Sequence, residues 1–229
     1  MTFDCKLKDS NIIISCSKGL ESFSREFINY YNRRIDRIRD ELDIADNIKV
    51  KVFLTDDEKN AGFVYGKTSF SGYYTDFGFF AYLNLNGNKD KEYMFKGLIH
   101  ELIHHLYNYY VYGIDKERII WVDEGIAELF SNKYDEYKDE DKYRLFLYEN
   151  LKDINNIDLN ELIHDDRSFG NNNGYKISYI AIRYLYENNT HQDFINIIKN
   201  REELLKYGQS IIKEIKNKYD IDRCFGVGE

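Results

Sequence analysis

At 229 residues, with 43% hydrophobic and 31% charged side chains, the chain has the length and composition to bury one substantial core. Its formal net charge of -8 excludes the basic surface that nonspecific nucleic-acid or anionic-membrane binding requires. No apolar run is long enough to span a bilayer, and Met1-Thr2-Phe3-Asp4-Cys5 lacks the basic and apolar regions of a secretory signal, so a cytoplasmic protein is expected.

In chain order, residues 12–15 read as a short strand. Residues 20–42 read as a long helix with Phe23, Phe27, Tyr30, Tyr31, Ile35 and Ile38 on its buried stripe. Residues 48–54 alternate as a strand does. Short aromatic-rich runs at 62–66, 72–75 and 79–85, separated by glycine, suggest a small twisted sheet with tight turns. Proline is absent where average usage would give about eleven. Turns therefore fall to Asn, Asp and Gly, as in Asn86-Gly87-Asn88 and Asn171-Asn172-Asn173-Gly174.

The helical half opens on a motif. Phe95, Leu98, Ile99, Leu102, Ile103 and Leu106 recur at helical spacing and bury one stripe, which turns His100, Glu101 and His104 to a neighbouring face. Positions four apart stack one turn above each other, so the His100 and His104 imidazoles can converge on one ion. A catalytic zinc takes three protein ligands and keeps one position for water. Glu101 lies beside the line joining the histidines, where a general base can reach a water whose pKa zinc lowers to about 7. His105 is turned away from that face and is expected to pack or support.

Further along, Trp121-Val122-Asp123-Glu124-Gly125-Ile126-Ala127-Glu128 supplies two carboxylates four apart, with Ile126, Ala127, Leu129 and Phe130 giving a packing surface. Glu124 is the third-ligand candidate. Glu128, one turn on, can accept the second ring proton of a ligating histidine. The stretch 135–142 is nearly all charged or tyrosine and reads as a solvated linker or helix end. The Asn171 to Gly174 run opens into a helical segment at 174–185, and 201–219 carries Leu204, Leu205, Ile211, Ile212 and Ile215 in an amphipathic pattern that closes the core. His164 and His191 sit in polar contexts and read as surface residues. Cys5, Cys16 and Cys224 form no CxxC pair and read as free thiols.

Strands grouped before helices indicate an α+β fold: one catalytic domain over 1–229, with an N-terminal sheet lobe at 1–91, a helical lobe at 92–229, and an active-site cleft between them. The strand at 79–85 either offers an exposed edge to an extended peptide or is an inner strand.

These residues resemble the gluzincin metallopeptidases, whose pattern is HExxH with a downstream glutamate ligand. The Trp-x-x-Glu-Gly-x-Ala-Glu variant looks most like the peptidase MA-like group, related to the M1 aminopeptidases and the bacterial collagenases. The resemblance covers roughly residues 48 to 205. It implies a zincin-like fold, zinc held by His100, His104 and Glu124, Glu101 as catalytic acid/base, and Glu128 orienting the first histidine. It also implies a tyrosine at the start of a downstream helix that stabilises the oxyanion. Tyr175 is the candidate for that role, with Tyr179 one turn on as the alternative. The implied activity is zinc-dependent hydrolysis of peptide or protein substrates. M1 aminopeptidases carry a Gly-x-Met-Glu-Asn segment that anchors the substrate amine, and nothing here matches it, which favours an endopeptidase. An aminopeptidase or a catalytically idle zinc-binding module are the other readings; the intact Glu101 speaks against an idle module.

Overall fold

Two strand segments rich in Ile and Val, at 12–16 and 50–54, bury alternate residues and set the centre of the first half of the structure. In the computed structural model, which describes residues 3–44, 48–56, 70–75, 78–83, 90–154, 157–162 and 173–222, they are strands of one five-stranded mixed sheet. The strands are β1 (Cys5–Lys8), β2 (Ile12–Cys16), β3 (Val50–Thr55), β4 (Phe70–Thr75) and β5 (Gly78–Leu83), in the order β1-β2-β3-β5-β4. The centre is parallel, with Ile14 opposite Val52 and Val52 opposite Phe79. Antiparallel pairings flank it, β1 with β2 and β4 with β5.

The turn closing β1 on β2 is held by Asp9 N–H donating to the Ile12 carbonyl at 2.9 Å. A parallel β2–β3 pair requires a crossover, and α1 (Glu21–Glu41) supplies it. All six apolar positions expected on its stripe are buried. Ile12, Ile14 and Cys16 of β2 and Val50, Val52 and Leu54 of β3 are likewise buried. Alternation along both strands means that one sheet face carries this core. Between α1 and α2 (Lys91–Leu106), Phe95 receives Phe23, Phe27 and Tyr30, with ring centroids 5.0 to 5.6 Å away. Each such fully buried side chain contributes about 1.5–3 kcal/mol relative to exposure.

One expectation is overturned here. The strand at 79–85 does not offer a free edge, because β5 lies between β3 and β4 and is paired on both sides. Its runs of Phe and Tyr serve an inner strand, and the edges among the described strands are β1 and β4. The run at 62–66, the turn at 86–88, Asn171, Asn172, His164 and Cys224 lie outside the described residues. Cys5 and Cys16 are free thiols.

The chain divides into two compact units, Met1–His105 and Leu106–Glu229. The second is helical: a π-helical segment (Tyr107–Tyr112), α3 (Ile120–Phe130), α4 (Glu140–Leu151), α5 (Gly174–Asn188), α6 (His191–Lys199) and α7 (Arg201–Lys218). No described helix is long and apolar enough to cross a membrane. The charged run at 135–142 resolves into a short 3-10 turn (Asp135–Lys138) and the start of α4, whose N-cap Asp139 accepts from Lys142 N–H. Its tyrosine is not solvated throughout, since Tyr137 stacks on Phe146 at 4.1 Å.

The helical unit buries several tyrosines. Tyr107 donates its hydroxyl to the Ile198 carbonyl at 2.8 Å, and burial pushes its phenol well above the ordinary value. Burial does the same to Tyr143, only partly opposed by the Arg183 guanidinium 3.6 Å over its ring. A phenol raised above its unfolded value of about 10 contributes stability that is complete below that pH and lost as pH rises beyond it. Both residues are therefore expected to ionise only as the helical circular dichroism collapses. Reversible tyrosinate absorbance near pH 10 from all tyrosines, with the helices intact, would contradict that burial.

Candidate metal centre

The histidine motif lies in the second half of α2, where Leu98, Ile99, Leu102, Ile103 and Leu106 are nearly inaccessible. This apolar stripe anchors the helix and fixes the orientation of the polar face. His100 and His104 are themselves buried, at 4% and 6% exposure, and their Nε2 atoms lie 3.1 Å apart. Two tetrahedral ligands at zinc–nitrogen distances of 2.0–2.1 Å require a nitrogen–nitrogen separation of about 3.3 Å. The pair is therefore already spaced for one ion. Glu101 is half-buried beside them. His105 is half-buried too, and burial holds its imidazole below the ordinary value, so it favours the neutral form.

Glu124 and Glu128 lie on α3, a helix whose sequence is apolar almost all round and whose residues are nearly all buried. Trp121 anchors its first turn: the indole Nε1–H donates to Asn160 Oδ1 at 3.2 Å, and Asn160 in turn donates to the Leu205 carbonyl at 2.8 Å. Gly125 faces α5 so closely that a Cβ there would lie 2.5 Å from Ile182 Cγ1 and 2.9 Å from the Ser178 carbonyl carbon. The Trp and Gly of the second motif are thus packing requirements of the helix that carries the carboxylates. Glu124 is 5% and Glu128 3% exposed. Lys133 meets Glu128 Oε1 at 3.1 Å, and the Glu128 charge adds to burial in raising the Tyr134 phenol.

His100, His104 and Glu124 each offer one ligand atom, and these atoms all lie within 4.8 Å of one another. Two imidazoles and one carboxylate, all buried, are a donor set that suits a divalent transition metal.

Tyr175 is the second residue of α5 and half-buried, following Asn173, whose left-handed backbone (φ 56°) ends the Asn-rich turn. Tyr179 is buried among Tyr134 and Phe146, and its hydroxyl accepts from Arg183 Nη1 at 3.1 Å. Asp123 and Lys133 were not singled out by sequence reasoning. For Asp123 the available signal was an acidic residue next to a candidate ligand in an otherwise apolar helix.

An HExxH helix and a second helix with a buried glutamate, on an α+β scaffold, are the arrangement a metallopeptidase uses to hold its metal. The sequence model of the family described as Collagenase, peptidase family M9, matches residues 6–224. The chain belongs to that family. No curated protein matches it.

Proposed function

We propose that the protein is a zinc-dependent endopeptidase of the gluzincin type, in the MA-like group to which M1 aminopeptidases also belong. The observation that carries this is the trio of buried donors, His100, His104 and Glu124, within 4.8 Å of one another, with Glu101 next in the chain to the first histidine. A glutamate rather than a histidine as third donor, from a separate helix, supports the gluzincin assignment. The lack of a Gly-x-Met-Glu-Asn amine anchor supports internal cleavage.

Bound zinc supplies Lewis acidity, which polarises a carbonyl and acidifies water. The protein's own residues do the rest. Glu101 takes the proton of the attacking water and delivers it to the leaving nitrogen. The Tyr175 hydroxyl donates to the substrate carbonyl oxygen as negative charge develops there. Glu128, which also meets Lys133, accepts the second ring proton of one histidine and fixes its tautomer. The substrate is a peptide or protein chain.

Metal analysis of the purified wild type beside His104→Ala and Glu124→Ala, with cleavage of a quenched peptide library followed in parallel, tests this reading. About one zinc per wild-type chain is expected, with both metal and cleavage lost in each variant. Chelation should abolish cleavage and added zinc restore it. Stoichiometric zinc with every library peptide intact would replace the enzyme by an idle metal-binding module, and no specific metal would remove the site.

A further inference from the structure

Among the described buried ionisable groups outside the proposed chemistry, Asp123 is engaged at both carboxylate oxygens. Its side chain is 0% exposed, although it sits in the first turn of α3, where an acidic residue that merely complements the helix dipole would stay in water. Asn108 Nδ2 donates to Asp123 Oδ1 at 2.8 Å, and the Arg118 guanidinium pairs with Oδ2. A buried carboxylate is held in one direction when both oxygens are engaged from different chain segments.

The positions of those segments give the clamp its meaning. Asn108 follows His104 by four residues, so it continues the row of His100 and His104 one turn further along. It belongs to the π-helical segment, whose widened turn is marked by Gly113 N–H reaching back five residues to the Asn108 carbonyl at 3.1 Å. Such segments are frequent at functional sites. The tie thus begins one turn past His104 and ends one residue before Glu124. Because Asp123 and Glu124 are adjacent on one helix, about 100° apart around its axis, fixing one fixes the direction of the other.

We infer that Asp123, clamped by Asn108 and Arg118, is a positioning residue that aims Glu124 at the metal; this rests on the zinc-site reading above. It touches neither substrate nor metal. Its contribution is to hold the first turn of α3 at one rotation, so that the carboxylate donor is in place before the ion arrives.

Zinc affinity, measured by competition with a chromophoric chelator, tests it. Asp123→Ala is expected to weaken zinc by about 10–100-fold, the usual effect of removing a group that orients a ligand. Asp123→Asn keeps the acceptor for Asn108 and should fall between the wild type and Asp123→Ala. Asn108→Ala should weaken zinc severalfold, and the double variant with Asp123→Ala should be no weaker than Asp123→Ala alone. Ile211→Ala is the structural control: it empties a fully buried position of α7 away from α3, should lower the melting temperature of the metal-free protein, and should leave zinc affinity within about twofold. Asp123→Ala within about twofold of wild type, or Ile211→Ala losing zinc as much at equal destabilisation, overturns the inference. If Asp123→Ala does not fold, Asp123→Asn and Asn108→Ala decide, and unchanged affinity in both overturns it. Wild type without stoichiometric zinc fails at an earlier step, because there the metal-site reading itself falls. Wild-type zinc lost in Glu124→Ala but kept in Asp123→Ala removes only the positioning role.

Discussion

Glu101→Gln is expected to lower peptide hydrolysis by about 10²–10⁴-fold while zinc content stays at that of the wild type. The amide nearly matches the carboxylate in size and keeps hydrogen-bonding capacity, but it cannot take a proton. Since Glu101 is only half-buried and lies off the row of His100 and His104, the substitution leaves the donor trio untouched. The loss corresponds to about 3–5 kcal/mol of barrier. Single-turnover cleavage of a quenched peptide, with metal analysis of the same sample, measures both quantities. A variant that retained metal and more than about a tenth of the activity would move proton transfer to another group.

Gly125→Ala should have the largest effect on stability. Alanine is intrinsically the better helix residue by about 1 kcal/mol, so propensity alone would predict a gain. Here the added methyl would fall well inside contact with the Ser178 carbonyl oxygen and lie 2.5 Å from Ile182 Cγ1. Ile182 can rotate, but the carbonyl is backbone of α5, so α3 and α5 have to separate. Overpacking of this kind costs about 1–3 kcal/mol and sometimes more, and because a backbone group blocks relaxation the upper end is expected. For a chain of this size that is a fall of roughly 5–12 °C in melting temperature. Zinc affinity should fall with it, because Gly125 adjoins Glu124. An unchanged melting temperature would mean that the two helices do not approach so closely.

The parts legible in the sequence were those set by periodicity. The α1 stripe, the motif-bearing α2 and the terminal α7 all bury one side, and a 3.6-residue repeat records that directly. What periodicity does not encode is pairing order. Residues 79–85 were readable as a strand, yet their position between β3 and β4 depends on a crossover that no local pattern announces. Four-residue β1 is too short for its alternation to register. In α6, the Thr190 hydroxyl that accepts from Asp193 N–H at 3.2 Å is a capping signal three residues apart that could have marked the helix start. The convergence of His100 and His104 on Glu124 followed from chemistry: two histidines leave a catalytic metal short of a ligand. The Asp123 clamp was hidden because its partners are 5 and 15 residues away, and nothing in spacing distinguishes them from other polar residues.

The mixed sheet also has a consequence in time. Its parallel centre joins β2 to β3 across the whole of α1, and β3 to β5 across more than twenty residues. The helical unit closes long loops too, with Gly125 of α3 against Ser178 of α5 and Tyr107 bonded to the Ile198 carbonyl, but its individual helices are local. Pairings that close long loops are slow to form, and local helical ones are fast. In both units the helices therefore form before the contacts that join distant segments, and in the first unit the parallel strand pairs are among the late ones. Until those pairs close, the strands destined for the sheet interior stay exposed, and in that interval the nascent chain is open to aggregation and to the helpers that prevent it.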